Sequence, residues 1–396
     1  MGFVFRSAVN RSRYFRTNEE IVMKKMLVCT IVALFLLCQS ALQAADTIKI
    51  GLSTPITGNY AEFGENFRYS AEMAVEKINA DGGLLGKKVD LVVMDSKGDP
   101  KESALIAQKF VENPEIVAQV GDFTSTSCMA AAPIYERGGL VQLSPTASHP
   151  DFAPSGKYMF SIVGSQKAES PFNAEYMAKD YLGLKKVGIV YINNDYGKIT
   201  METFTDAARK AGLEITATEL FMEAERDFGA ILNKIRQTNP DGLHIVCHYN
   251  EAAAVCRQMR KMGWKTKMFS PSAIFSANMI SLGGAAAEGI ASSTYFALED
   301  PDPKVQAYIA AFEKVAKRKP NLHAANAYDC VLMLADAIRG AGSTDRAAVR
   351  DALAATADFD GVTGKITFSP DGDVDRKFKI MVIEDGKWVV KRDYTK

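Results

Sequence analysis

From residue 47 onward, apolar runs of strand length alternate with amphipathic helical patterns, and this alternation limits the possible folds more than any other feature of the chain. Runs at 48–52, 89–94, 116–120 and 140–143 are separated by helical patterns at 67–78, 103–111 and 126–135. Near-continuous apolar strands between helices imply βαβ units and a parallel sheet covered on both faces. The rhythm pauses at the Pro-, Ser- and Gly-rich stretch 144–158 and then resumes. Helices are expected near 171–181, 199–211, 228–236 and 252–262, with strands at 187–192, 214–219, 242–247, 268–269 and 290–295. A second doubly wound sheet follows from that series, so the fold class is α/β with two lobes. After a break at 300–303, helices near 305–317 and 324–339 precede short strands at 364–369, 378–383 and 388–390, with Asp-Gly turns at 371–372 and 385–386. A chain of 396 residues is long enough for two cores.

The first 45 residues break this pattern. Met23-Lys24-Lys25 precedes an apolar stretch at 26–37, and small residues follow up to Ala44-Ala45. A basic start, a short apolar run and an alanine-rich exit are the parts of a secretory signal, with Met23 as a candidate true start. The run is too short for a comfortable membrane span. The whole chain is formally neutral, but without residues 1–45 it keeps 41 basic against 45 acidic side chains, a mildly acidic body. That balance offers no electrostatic footprint for nucleic acid or an anionic membrane. Four cysteines remain beyond the signal: Cys128, Cys247, Cys256 and Cys330. Export would permit a Cys247–Cys256 bridge, and buried free thiols are the competing reading.

Signatures of catalysis are missing. Gly82-Gly83-Leu84-Leu85-Gly86-Lys87 follows a helix and leads into a strand, the reverse of a phosphate loop, and reads as a helix C-cap and turn. His149, His244, His248 and His323 form no metal-ligand spacing with one another or with a cysteine. No Gly-x-Ser-x-Gly elbow occurs. Neither a cofactor nor a metal is expected. Two hydroxyl-rich corners carry more information. Gly121-Asp122-Phe123-Thr124-Ser125-Thr126-Ser127 and Ser144-Pro145-Thr146-Ala147-Ser148 each follow a strand, and the first opens a helix. Open α/β sheets bind ligands at this edge, and a helix N-terminus supplies free amide donors and partial positive charge suited to a carboxylate. A plain N-cap at Ser125 and a plain turn at the second corner are the alternatives.

At these residues the chain resembles the periplasmic substrate-binding proteins of branched-chain amino acid ABC transporters. The resemblance runs from residue 47 to the C-terminus. It is carried by Ile48-Lys49-Ile50-Gly51, Thr57-Gly58 with Phe63-Gly64, Ile78-Asn79-Ala80-Asp81-Gly82-Gly83, Asp95 with Asp99-Pro100, the two hydroxyl corners, Asp195-Tyr196-Gly197 and Phe269-Ser270-Pro271. It implies a type I periplasmic binding protein: two lobes on a three-segment hinge that close on a solute, with lobe one at 47–164 plus 297–374 and lobe two at 165–296 plus 375–396. It also implies a periplasmic monomer that hands an aliphatic amino acid to membrane permease and ATPase subunits, without enzymatic activity. By this resemblance Ser125 holds the carboxylate and amino group, and Thr146, Ala147 and Ser148 form the adjoining contact segment. Phe63 and Tyr196 cover the ligand.

Several positions depart from the family pattern. The acid expected after the strand ending near Phe269 is replaced by Ser272, and His248, followed by Tyr249, stands where a Tyr is usual. Thr124 takes the place of a half-cystine. A buried ammonium group without an acidic partner is costly. Either Asp122, Glu169 or Asp195 supplies the charge, or the solute is an aromatic or other carboxylate without an α-amino group. A ligand-sensing module of a signalling system and a hydrolase on the same scaffold are the competing classes.

Overall fold

The computed structural model describes residues 47–223 and 225–395; the signal expected at 1–45 lies outside the described residues. The first lobe begins with β1 (Ile48–Thr54), α1 (Ala61–Ala80), β2 (Val89–Asp95), α2 (Pro100–Glu112), β3 (Ile116–Gly121), α3 (Ser125–Gly138), β4 (Val141–Ser144) and β5 (Met159–Ser161). These strands form a five-stranded, fully parallel sheet in the order β2-β1-β3-β4-β5. The order reverses between β1 and β3, which puts a crevice beyond their carboxyl ends. β3 and β4 are buried along their whole length, as expected for strands covered on both faces. Local chemistry sets the helix starts: the Asp99 carboxylate accepts from the amides of Lys101 and Glu102, and Pro100 opens α2.

The second lobe runs through α4 (Gln166–Phe172), a π-helix (Asn173–Tyr181), β6 (Lys186–Ile192), α5 (Asp195–Ala211), β7 (Glu214–Phe221), α6 (Gly229–Arg236), β8 (Gly242–Val246), α7 (Tyr249–Lys261), β9 (Lys267–Ser270), α8 (Ala277–Gly283) and β10 (Ala291–Thr294). The chain then returns to the first lobe with α9 (Pro303–Ala316), α10 (Leu322–Ala341) and α11 (Arg346–Ala354). There α9 and α10 pack on α1, and α11 packs on β3. A small hairpin, β11 (Phe359–Gly361) with β12 (Gly364–Ile366), precedes β13 (Lys379–Glu384) and β14 (Lys387–Asp393). The second sheet has the order β14-β13-β10-β9-β8-β6-β7, parallel from β6 to β10 and antiparallel at β13 and β14.

The chain passes between the sheets three times: after Ser161, after Thr294 and before Lys379. One side chain ties these passages together. The Arg376 guanidinium, on the third, donates to the Ile162 carbonyl at 2.8 and 2.6 Å and lies 4.4 Å over the Tyr295 ring. The first and second passages are thereby fastened to the third.

Some elements differ from expectation. The pause at 144–158 ends in β5, too short to show a period. The helix expected at 171–181 starts earlier; Pro171 cannot donate to the ladder, and beyond it the chain runs as a π-helix. The Asp385-Gly386 turn joins β13 to β14, with φ values of 49° and 68° that suit a tight hairpin. Asp371-Gly372 instead closes a small loop bridged by Phe368 and Val374, and the partner of β12 is β11. All four cysteines are free, buried thiols, so the Cys247–Cys256 bridge does not form. Among the described residues no helix is long and apolar enough to cross a membrane.

Candidate functional site

A cavity lies where the carboxyl ends of β3 and β4 face those of β6, β8 and β9. Its first-lobe wall is Phe123, Thr124, Ser125, Thr146, Ser148 and His323. Across from them stand Gln166, Glu169, Tyr196, His248, Ser272 and Ala273, with Val163 between the two groups. The space is small, about 30 Å³ in which the centre of a water molecule can move. That is room for a few water molecules at most.

On the first wall the helix N-cap is Thr124, whose hydroxyl accepts from the Ser127 amide at 3.1 Å. Ser125 is the first helical residue and is not consumed as a cap, so its hydroxyl and the amides of the first turn stand at the positive end of α3. The Thr146 hydroxyl donates to the Phe123 carbonyl at 2.7 Å. Its remaining lone pairs can only accept, which suits a cationic donor better than a carboxylate. Ser148 is set the other way: its oxygen accepts from Gln166 Nε2 at 3.3 Å, leaving its proton to donate. Ala147 does not reach the cavity. Its side chain sits in a separate apolar cluster, and its amide donates to Ser144 Oγ at 2.9 Å. Ser144 holds the corner shut from within.

The second wall carries the charge. Glu169 is buried, with Oε1 accepting from the Ser272 amide and from Ser293 Oγ, both at 2.7 Å, and Oε2 accepting from Gln166 Nε2 at 2.9 Å. No lysine or arginine forms an ion pair with it among the described residues. Buried carboxylates are ordinarily paired, so one anion in this wall is short of a cation. The other two acids considered from the sequence lie elsewhere. Asp122 accepts from Ser53 Oγ at 2.9 Å, Ser103 Oγ at 2.8 Å and the Phe123 amide at 2.6 Å, facing away from the cavity, and burial pushes its carboxyl above the usual range. Asp195 is outside the wall; its amide donates to Thr126 Oγ1 at 3.4 Å, joining α5 to α3.

Rings close the mouth. His248, at the start of α7, has its ring 5.1 Å from Tyr60, 5.2 Å from Phe123 and 5.4 Å from Tyr196. Burial lowers its pKa to about 4. His323, near the start of α10, is lowered to about 3 by burial and by its neighbour His248. Phe63 was expected to cover a ligand, yet it is fully buried behind the wall, stacked 4.1 Å from Phe123, and Phe123 is the ring that lines the cavity. Two motif glycines have a packing reason. A Cβ on Gly64 would come 1.9 Å from the Pro55 carbonyl oxygen, and one on Gly197 would come 1.9 Å from that of Ile192. They let α1 and α5 start close against their strands.

A clasp lies outside the cavity. The Glu62 carboxylate on α1 accepts from Ser276 Oγ at 2.9 Å and Asn278 Nδ2 at 2.6 Å, both on the second lobe. Tyr249, beside His248, packs its ring 5.1 Å from Phe63.

Two α/β lobes on three chain passages, with a polar cavity between their strand ends, define a cleft-type receptor for small molecules. The periplasmic binding protein family model matches residues 47–387, and the chain belongs to that family. It is 29% identical over 342 residues to the leucine-, isoleucine-, valine-, threonine- and alanine-binding protein of Pseudomonas aeruginosa, covering 86% of this chain and 90% of that protein. Among solved structures, it matches the branched-chain amino acid transporter substrate binding protein LivJ from Streptococcus pneumoniae in complex with isoleucine (TM-score 0.82, 28% identity, 87% of this chain, 99% of that one). A putative branched-chain amino acid ABC transporter from Rhodospirillum rubrum matches with TM-score 0.68 and 33% identity over 87% of this chain and 100% of that one.

Proposed function

We propose that this protein is the extracytoplasmic solute-binding component of an ABC importer and that it takes an amino acid as its zwitterion. The observation that carries this reading is the pairing of walls. One presents a helix N-terminus and donor hydroxyls, and the other a buried carboxylate with no cationic side chain. In this reading the solute carboxylate sits against Ser125, the first turn of α3 and Ser148. Its ammonium sits between Glu169 and Thr146, so Glu169 takes the part of the acid that Ser272 lacks. Tyr196, His248 and Ser272 join when the lobes, 47–164 plus 297–374 and 165–296 plus 375–396, close about the three passages. Contacts made only on closure stabilise the closed form. The amino acids named for the relatives, which include leucine, isoleucine, valine, threonine and alanine, support an uncharged side chain no larger than the branched-chain size. Export by the N-terminal signal, action as a periplasmic monomer and delivery to permease and ATPase subunits complete the proposal.

Calorimetry with a panel of L-amino acids and their deaminated analogues tests it. One or a few amino acids should bind stoichiometrically and be recovered unchanged, with the deaminated forms much weaker. Equal binding of the deaminated forms would remove Glu169 from the account and favour a simple carboxylate as the solute.

A further inference from the structure

Two imidazoles, one from each lobe, stand in the cavity wall, and the zwitterion scheme gives neither a hydrogen-bond partner. Nδ1 of His248 and Nδ1 of His323 are both buried and without a hydrogen-bond partner among the described residues. Their surroundings are otherwise rings: Tyr60, Phe63, Phe123 and Tyr196 around His248, and Phe63 and Phe123 around His323. A neutral imidazole carries one donor and one acceptor, and leaving either unpaired away from water is costly. An aliphatic side chain against these rings perpetuates that cost; a neutral group that can both donate and accept relieves it.

We infer that His248 and His323 select, among amino acids of the size bound by the relatives, a side chain bearing an uncharged hydrogen-bonding group, a hydroxyl above all. The inference rests on the amino-acid reading and narrows it. A hydroxyl can accept from one ring and donate to the other, a bridge that forms only with the lobes together, because His323 belongs to the first lobe and His248 to the second. Acidic side chains are disfavoured because Glu169 lines the same cavity. Basic ones would place a second cation beside rings that offer it no countercharge.

L-threonine and L-valine have nearly the same shape and differ by hydroxyl against methyl, so they isolate this term. Calorimetry on the full mature chain should show threonine binding about tenfold or more tighter than valine. In His248→Phe, which keeps a ring in the cluster, and separately in His323→Leu, that ratio should fall to about one or invert, mainly by loss of threonine affinity. Circular dichroism and thermal melts establish that each variant is folded. The wild-type ratio decides the matter even if a variant is not. Valine binding as well as threonine, or better, overturns this inference and leaves the zwitterion reading standing. Binding of neither, nor of any other amino acid, overturns both.

Discussion

The two walls of the cleft are built on opposite plans. The first-lobe wall draws on neighbouring strand exits: Ser125 follows β3, Thr146 and Ser148 follow β4, and a short local hydrogen bond to the Phe123 carbonyl fixes the Thr146 hydroxyl. The second-lobe wall is assembled from distant pieces: Glu169 just after the first passage, Tyr196 after β6, His248 after β8 and Ser272 after β9. The first offers donors and partial positive charge, the second a full negative charge and rings. A solute with a carboxylate at one end and an ammonium at the other is aligned by that difference alone, before any side-chain contact. The strength of binding then depends on both ends being met at once.

The comparison can be broken most severely at Glu169. Glu169→Gln keeps the shape and two of the acceptor contacts but removes the charge. Amino-acid binding should weaken by about 3 kcal/mol, the scale for leaving a buried ionic group without its partner, as read by calorimetry. A loss below about 0.5 kcal/mol would move the ammonium elsewhere. Ser125→Ala attacks the other wall and should cost about 2 kcal/mol through one charge-assisted hydrogen bond. That loss should be the same for an amino acid and its deaminated analogue, since both keep the carboxylate. Glu62→Gln touches neither wall. Weakening the clasp to Ser276 and Asn278 should lower affinity for every solute by about 1 kcal/mol and show chiefly as faster release. A solute-dependent effect would mean that Glu62 reaches the cavity.

The smallest effect concerns pH. Burial lowers His248 to about 4 and both His244 and His323 to about 3, from 6.5. Between about 6.5 and 4 the unfolded chain therefore binds more protons at these rings than the folded one, and stability falls as pH drops through that window. Glu251, raised to about 6 by burial, opposes this between about 6 and 4.5. Asp122, Asp329 and Asp373, also raised by burial, act in the same direction as Glu251, so the contribution of the rings is read from the difference between wild type and variant. His248→Phe should flatten the ring-driven decline modestly, and an unchanged slope would mean that the ring titrates normally.

The same contrast explains what could be read from the amino-acid order. The alternation gave both sheets, because fully buried parallel strands such as β3 and β8 leave uninterrupted apolar runs. Three-residue strands such as β5 and β11 carry no period and escaped notice. Ser125, Thr146 and Ser148 were legible because each lies in a short hydroxyl motif beside a strand end. Glu169 could only be named as one of three acids, since Asp122 and Asp195 lie in equally suggestive motifs. What separates them is the direction of each carboxylate, which depends on Ser53 and Ser103 in one case and on Ser272 and Ser293 in another. His323 had no local sign at all; α10 brings it to the cleft from the far side of the second lobe in sequence. Phe63 was placed one layer too far forward because stacking on Phe123 is a tertiary fact.

The central claim is that Glu169 senses the solute's ammonium. The direct test is a double cycle: calorimetric binding of an amino acid and its deaminated analogue to the wild type and to Glu169→Gln. The account predicts a coupling of about 2 kcal/mol or more, with the variant discriminating poorly between the two solutes. Additive effects, with the amino group contributing equally in both proteins, would contradict it.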